Sequence, residues 1–154
     1  MTPTNTGNPP VDGRCSPSTC WLPHAQGNHE LSDCFIGAGL GGMARHAINV
    51  TALRTLGSSS FPFGTLTINV LGSFLMGIVV EYFALRSGLS QHARLFLTTG
   101  IIGGFTTFSA FSLEVALLIE RGQHLAACAY VSGSVVLSIG ALFLAIAILR
   151  NAFA

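Results

Sequence analysis

The sequence predicts an all-α membrane protein with four transmembrane helices, the third of them broken near its middle. Half of the 154 residues are hydrophobic and only 8% are charged, whereas about 25% charged residues is usual for a soluble domain. Four apolar stretches, about residues 34–53, 62–85, 95–119 and 124–149, alternate with short polar or glycine-rich segments. About 20 apolar residues suffice to cross a bilayer. We therefore divide the chain into a polar tail, residues 1–33, and a transmembrane domain, residues 34–150.

The tail is expected to be largely disordered. It holds five of the six prolines, with no apolar run and no hydrophobic periodicity, so it cannot bury enough apolar surface to fold. A zinc site is a weaker interpretation, because the first cysteine spacing is CxxxxC and not CxxC. The residues concerned are Cys15, Cys20, His24, His29 and Cys34.

The first apolar stretch is rich in glycine and carries Arg45 near its middle. A charged side chain at such depth usually faces the bundle interior or a water-filled cavity. An arginine near the end of a span can instead extend to the lipid headgroups. We favour a vestibule or structural role for Arg45.

The second stretch begins with Pro62, which suits the first turn of a helix. Within it Thr65, Asn69 and Ser73 recur at every fourth position, so they share one helix face. A buried amide needs partners from another helix, from water or from a ligand. Asn69 therefore either binds a ligand or joins two helices.

The third stretch places poor helix formers at mid-depth, namely Gly103, Gly104, Thr106 and Thr107. An unwound backbone is tolerated there only if it is buried in protein or lines a wet cavity. Free carbonyls at the break can hold a hard cation, and the positive ends of half-helices can face an anion. The alternative is close helix packing, since Gly100 and Gly104 form a GxxxG pair.

The fourth stretch carries a second polar stripe, Tyr130, Ser134 and Ser138, again at every fourth position. Any one of these hydroxyls can bond to its own helix backbone. The repeat along one face is therefore more informative than any single residue.

The seven arginines give a weak prediction of topology. With four spans both termini lie on one side, together with Arg14, Arg86, Arg94 and Arg150, against Arg54 and Arg121 on the other. The positive-inside rule places the termini in the cytoplasm, yet so small a bias is also compatible with insertion in both orientations. Four helices make a thin bundle, so we expect an oligomer that packs through the glycine-rich first and third segments. The chain has no basic patch, and we expect no nucleic-acid partner.

Three segments carry a resemblance to a known family. Residues 103–112, GGFTTFSAFS, resemble the GGxTTFSTFS signature of the Fluc (CrcB) family of fluoride channels, with Ala110 where threonine is common. Residues 62–72, PFGTLTINVLG, resemble the family's P-x-GTLxxNxxG segment. Residues 37–45, GAGLGGMAR, are similar to its glycine-rich first helix ending in arginine. The likeness spans about residues 35–150.

The resemblance implies a channel that exports fluoride passively across the inner membrane and so relieves fluoride toxicity. It implies an antiparallel, dual-topology dimer with two pores, formed by this chain or with a paralogous one. The pore residues that it implies are Asn69, Thr107, Phe108, Phe111, Tyr130, Ser134 and Ser138. The backbone carbonyls of Gly103 and Thr106 would hold a structural sodium ion.

Two other functions compete with a channel. A small proton-coupled drug exporter needs a membrane-embedded carboxylate, and only Glu81 and Glu114 are candidates, both toward the ends of their segments. An assembly subunit would transport nothing. We expect no enzyme, because Ser109 has no histidine and acid partners at a suitable depth.

Overall fold

The computed structural model describes residues 27–57, 61–85 and 90–153, and every regular element within these ranges is helical. The first two helices are α1 (Gly27–Leu56) and α2 (Phe63–Leu85). The third segment comprises α3 (Gln91–Leu95), a π-helix (Phe96–Ile102), α4 (Gly103–Phe105) and α5 (Phe108–Glu120). The last helix is α6 (His124–Phe153). The predicted all-α class is confirmed.

Three of the described segments are long and apolar enough to cross a membrane: Phe63–Leu85, Gln91–Glu120 and His124–Phe153. The first helix, α1, has 30 residues but is not among them. Within its apolar part, Arg45, His46, Asn49 and four glycines lower the mean hydropathy. The chain is therefore a multi-pass membrane protein, and the count of four spans stays a prediction.

Helix α1 begins earlier than the apolar stretch does. It starts at Gly27, so residues 27–33 are helical and do not belong to an irregular tail. No proline follows Pro23 before the helix, and Glu30 and Leu31 are good helix formers, so α1 extends past its apolar part. The rest of the predicted tail and most of the cysteine and histidine group lie outside the described residues.

The glycines of α1 pack against the third segment of the same chain. A Cβ atom at Gly37 would lie 2.9 Å from the Cα of Gly100, and one at Gly41 would overlap the carbonyl oxygen of Ile101. A Cβ at Gly104 would lie 2.5 Å from the carbonyl oxygen of Ala38. Small residues thus let the two backbones touch, as in close-packed membrane helices. Because contacts proceed in the same order along both segments, α1 and the third segment run parallel.

Helices α2 and α6 also run parallel and in contact. Gly77 lies against α6, since its Cβ would be 2.5 Å from the carbonyl oxygen of Leu142 and 2.9 Å from the Cβ of Ala145. One turn further on, Glu81 pairs with Arg150 at 2.8 Å. Helix α5 returns antiparallel along α6, because Leu118 and Tyr130 belong to one buried cluster with Ala127 and Phe111 packs against it. This arrangement sets α2, α5 and α6 around a common space.

Candidate functional site

A cavity of about 350 Å³ lies between α2, the break in the third segment, α5 and α6. Its lining combines polar side chains with two phenylalanines: Asn69, Ser73, Thr106, Thr107, Phe108, Phe111, Ser134, Val135, Ser138 and Ile139. Six of the seven predicted pore residues therefore meet at one place. The seventh, Tyr130, lies directly behind Phe111, with the two ring centroids 5.2 Å apart.

The third segment breaks at Thr106 and Thr107, as the sequence predicted. Both residues are extended, with φ −93° and ψ 143° at Thr106 and φ −144° and ψ 116° at Thr107. The backbone N–H and the hydroxyl of Thr106 both donate to the carbonyl of Ile102, at 3.0 and 3.1 Å. The carbonyls of residues 103–106 and the first N–H groups of α5 have no helical partner at such a break. Free acceptors and free donors thus lie on opposite sides of it.

Thr107 precedes the first residue of α5 without capping it. A threonine at this position usually accepts a hydrogen bond from the helix backbone, yet the Thr107 side chain makes no such bond. Its hydroxyl lines the cavity instead. The extended backbone at Thr107 thus presents both a side-chain donor and the positive end of the α5 dipole to the same space.

Helix α2 packs against the break in the third segment at Gly72. A Cβ at Gly72 would overlap the methyl group of Thr106 and lie 3.2 Å from the Phe105 ring. Gly72 is buried, and so is Phe105, at 6% exposure. The absence of a side chain at Gly72 therefore lets Thr106 reach the cavity wall.

Three buried hydroxyls of α6 make no hydrogen bond with any described residue: those of Tyr130, Ser134 and Ser138. Tyr130 is 0% exposed and Ser134 4% exposed. The Tyr130 hydroxyl has those of Thr65 and Ser134 as neighbours, but neither has hydrogen-bond geometry. Leaving a buried polar group unpaired costs about 1–3 kcal/mol. Three such groups along one helix face indicate a ligand or water that pairs with them.

Asn69 is half-buried on α2 and lines the cavity. Two interpretations of this amide were open, ligand binding and interhelical bonding. Within the described ranges no hydrogen bond joins its side chain to another helix. The geometry therefore favours the amide as a donor toward the cavity.

The two predicted pore phenylalanines differ in exposure. Phe111 is half-buried and packs on Tyr130, whose ring also meets Phe61 edge-on at 5.8 Å. Phe108 lies 5.6 Å from Phe111 between ring centroids, yet it is 79% exposed. An apolar ring of this size, exposed beside a polar cavity, is placed to meet lipid or another protein chain.

Two residues with predicted roles, Arg45 and Gly103, do not line the cavity. Arg45 is half-buried on α1 and is not a lining residue, and no described acid pairs with it. Gly103, a predicted sodium ligand, is exposed at the start of α4. Within one chain the residues predicted to line a pore lie around one cavity. Their roles, like the vestibule and sodium assignments, stay predictions.

The candidate carboxylates of an exporter also lie outside the lining. Glu81 is buried at 6% exposure and accepts hydrogen bonds from the Nε and Nη2 of Arg150 at 2.8 and 3.4 Å. The Glu81 carboxylate is therefore engaged by Arg150 and does not face the cavity. Glu114 is half-buried on α5 and does not line the cavity.

The sequence argument left some lining residues unassigned. Ser73 was part of the α2 stripe but received no role, and Thr106 was expected to act through its carbonyl only. Val135 and Ile139 supply apolar wall between the serines of α6. The stripe itself was the signal for Ser73, because residues four apart on one helix share a face.

The cavity is open, and its lining combines hydroxyls, an amide and phenylalanines with no lysine, arginine or carboxylate. A polytopic helical protein with such a lining has the features of a channel-forming protein. The profile described as "CrcB-like protein, Camphor Resistance (CrcB)" matches residues 34–146. The chain belongs to the CrcB family.

Curated relatives agree with this membership. The chain is 66% identical over 117 residues to "Fluoride-specific ion channel FluC" of Granulibacter bethesdensis, covering 76% of this chain and 91% of the relative. Relatives of the same name from Rhodopseudomonas palustris and Methylobacterium nodulans are 56% and 54% identical, over 75% and 76% of this chain and 93% of each relative.

Proposed function

We propose that this chain is a fluoride-specific ion channel of the inner membrane, which lets fluoride leave the cytoplasm passively and performs no catalytic step. Membership of the CrcB family and the names of the relatives support this function. The observation that carries it is the row of unpaired hydroxyls on α6 facing Asn69 across the cavity. These groups donate hydrogen bonds, as an anion requires.

The lining chemistry suits fluoride in particular. Fluoride is small and strongly hydrated, so a pore must replace its water with closely spaced donors. Ser134, Ser138 and the Asn69 amide are such donors. The edges of Phe108 and Phe111 carry the positive part of the ring quadrupole and face an anion without binding it tightly. Weak contacts in series favour passage, because one strong site would stop conduction.

A structural sodium ion would be held by the carbonyls of Gly103 and Thr106. Oxygen ligands suit a hard cation, and these carbonyls lack helical partners at the break. Gly103 is exposed, so a second chain can approach it and supply further carbonyls. When bound, the cation would offset the repulsion between carbonyl dipoles that converge from both chains.

The channel would be an antiparallel dimer of this chain or of this chain with a paralogue, embedded in lipid. Exposure of Gly103 and Phe108 at the same break supports a partner there. The parallel packing of α1 on the third segment supports α1 as the fourth span. With an even number of spans, insertion in both orientations gives two chains that pair about a twofold axis in the membrane plane.

Fluoride efflux from vesicles reconstituted with the purified chain alone tests the proposal. Wild-type protein is expected to release trapped fluoride, whereas Asn69→Leu, of similar size but without donors, is expected to reduce release at least about tenfold, since a lost hydrogen bond to a charged group costs about 1.5–3 kcal/mol. Equal elution of both proteins in gel filtration controls for assembly. Wild-type vesicles that leak no faster than protein-free vesicles would refute a channel formed by this chain alone.

A further inference from the structure

The polar stripes of α2 and α6 face each other in register. Thr65 neighbours Tyr130, and the two helices run parallel. Steps of four residues are about one helical turn on each, so the next pairs are Asn69 with Ser134 and Ser73 with Ser138. All four residues of these two pairs line the cavity. We call the three levels the first, second and third polar pair.

The third polar pair is the last level at which the two helices leave room between them. One turn beyond Ser73, Gly77 is buried against the Leu142 carbonyl and Ala145. Beyond that, the Glu81 and Arg150 side chains join the helices at 2.8 Å. An ion that follows the stripes must therefore leave the space between α2 and α6 at Ser73.

At the level of the third polar pair, the Ser73 hydroxyl lies at the cavity and is free to bind an anion. It is half-buried and lines the cavity, and it makes no hydrogen bond with any described residue. Serine and threonine in membrane helices often donate to the carbonyl four residues earlier, as Ser112 does here to Phe108 at 3.0 Å. Ser73 does not, so its hydroxyl is available to the cavity.

The break in the third segment lies at the same level. Gly72, next to Ser73, contacts the methyl group of Thr106, and Thr106 and Thr107 both line the cavity. Phe111 lies at the opposite end, against Tyr130 of the first pair. The third pair is therefore separated from the Phe111 ring along the cavity and adjoins the break.

We propose that Ser73 and Ser138 form a further fluoride-binding position, at which fluoride passes from the α2–α6 stripes toward the break. The proposal rests on the function proposed above. Ser73 would donate a hydrogen bond from its hydroxyl to the ion, with the Ser138 hydroxyl as the second hydrogen-bond donor. Ser73 thus adds a second hydroxyl donor beside Ser138 on the break side of Asn69, next to the apolar wall of Val135 and Ile139.

Fluoride efflux as a function of fluoride concentration tests this role in Ser73→Ala, Ser73→Thr and Ser132→Ala. Ser132 lies on α6, is exposed and does not line the cavity, so its variant is the matched control. We expect Ser73→Ala to lower efflux about tenfold and to raise the half-saturating fluoride concentration, because a hydrogen bond to an ion is lost. Ser73→Thr, which keeps the hydroxyl, should restore most of the flux.

The outcomes separate the two proposals. Wild-type flux with an unchanged Ser73→Ala variant would overturn the binding role of Ser73 and leave the channel intact. The binding role would also be overturned if Ser73→Ala gave fewer active vesicles but kept the wild-type half-saturating fluoride concentration. That result would mean that the substitution impairs folding and not fluoride binding. Absence of wild-type flux would overturn the channel and the Ser73 site together. If Ser73→Ala fails to fold, Ser73→Cys, with a weaker donor of similar size, must show the same rise in half-saturating concentration.

Discussion

The Nε of Arg150 lies 2.8 Å from the Oε1 of Glu81, although 69 residues separate them in the chain. The carboxylate side chain is 8% exposed and the guanidinium side chain 67% exposed. The pair joins the carboxyl-terminal parts of α2 and α6, the two helices that hold the polar stripes. It therefore links these two helices beyond the cavity, one turn past the contact of Gly77 with α6.

Because the carboxylate is buried and the guanidinium is exposed, we predict that removing either partner lowers the stability of the protein by a different amount. Arg150→Met leaves a buried carboxylate without its partner, which is costly, whereas Glu81→Met leaves an arginine that can reach water or headgroups. We expect Arg150→Met to lower the thermal midpoint of the purified protein in detergent by several degrees, and Glu81→Met to lower it less. A larger decrease for Glu81→Met would show that the carboxylate is not buried in the assembled protein.

The α1 contact with the third segment predicts a sharp difference between two glycines of one helix. A Cβ at Gly41 meets the Ile101 carbonyl and lies 2.7 Å from the Phe105 backbone nitrogen, while a Cβ at Gly39 meets nothing within 4 Å. Gly41→Ala should therefore destabilise the protein by about 1–3 kcal/mol. Gly39→Ala should be neutral or stabilising by up to about 1 kcal/mol, because alanine favours a helix. Both free energies are measured by unfolding in denaturant, and equal effects of the two substitutions would contradict the close contact between Gly41 and the third segment.

Substitution of the two cavity phenylalanines, Phe108 and Phe111, is predicted to reduce transport without disturbing assembly. Phe108→Ile and Phe111→Ile keep apolar bulk but remove the polarised ring edge. We expect fluoride efflux to fall about tenfold in each, with elution in gel filtration unchanged from the wild type. Phe143→Ile is the control, since Phe143 is 63% exposed on α6 and does not line the cavity. Wild-type flux in both pore variants would exclude the two rings from the pathway.

The orientation of the chain in the membrane can be measured by labelling the polar amino-terminal segment from one side. The weak four-to-two arginine bias, together with the resemblance to Fluc channels, predicts insertion in both orientations. A single cysteine at Asn5, in a chain whose native cysteines are replaced, should react with an impermeant thiol reagent in about half the molecules of intact spheroplasts. Labelling of lysed spheroplasts measures the total amount of reactive protein in both orientations. Labelling of nearly all or nearly none of the molecules would instead establish a fixed orientation.

Sequence periodicity predicted the parts of the site that depend on one helix at a time. The stripes through Asn69 and Ser134 follow from the helical repeat alone, and the break at Thr106 follows from weak helix formers at mid-depth. The structure places these features around one cavity. Local rules were thus sufficient to identify most of the lining.

What could not be predicted depends on how helices pair. The register of α2 on α6, which assigns Ser73 to Ser138, is set by contacts such as Gly77 with Leu142. Nothing in the residue pattern connects Glu81 with Arg150, which pair at 2.8 Å. The glycines of α1 indicated close packing, but only the structure shows that Gly37 meets Gly100 within the same chain. Such contacts arise from three-dimensional packing, which periodicity does not encode.

The most direct test of the central claim compares fluoride and chloride efflux from the same reconstituted vesicles, with the wild-type chain as the only protein. Closely spaced donors that replace the water of a small anion predict fluoride efflux more than about a hundredfold faster than chloride efflux, a difference of about 2.8 kcal/mol. Chloride should leave no faster than from protein-free vesicles. Equal release of both anions would contradict a selective fluoride pore lined by Asn69, Ser134 and Ser138.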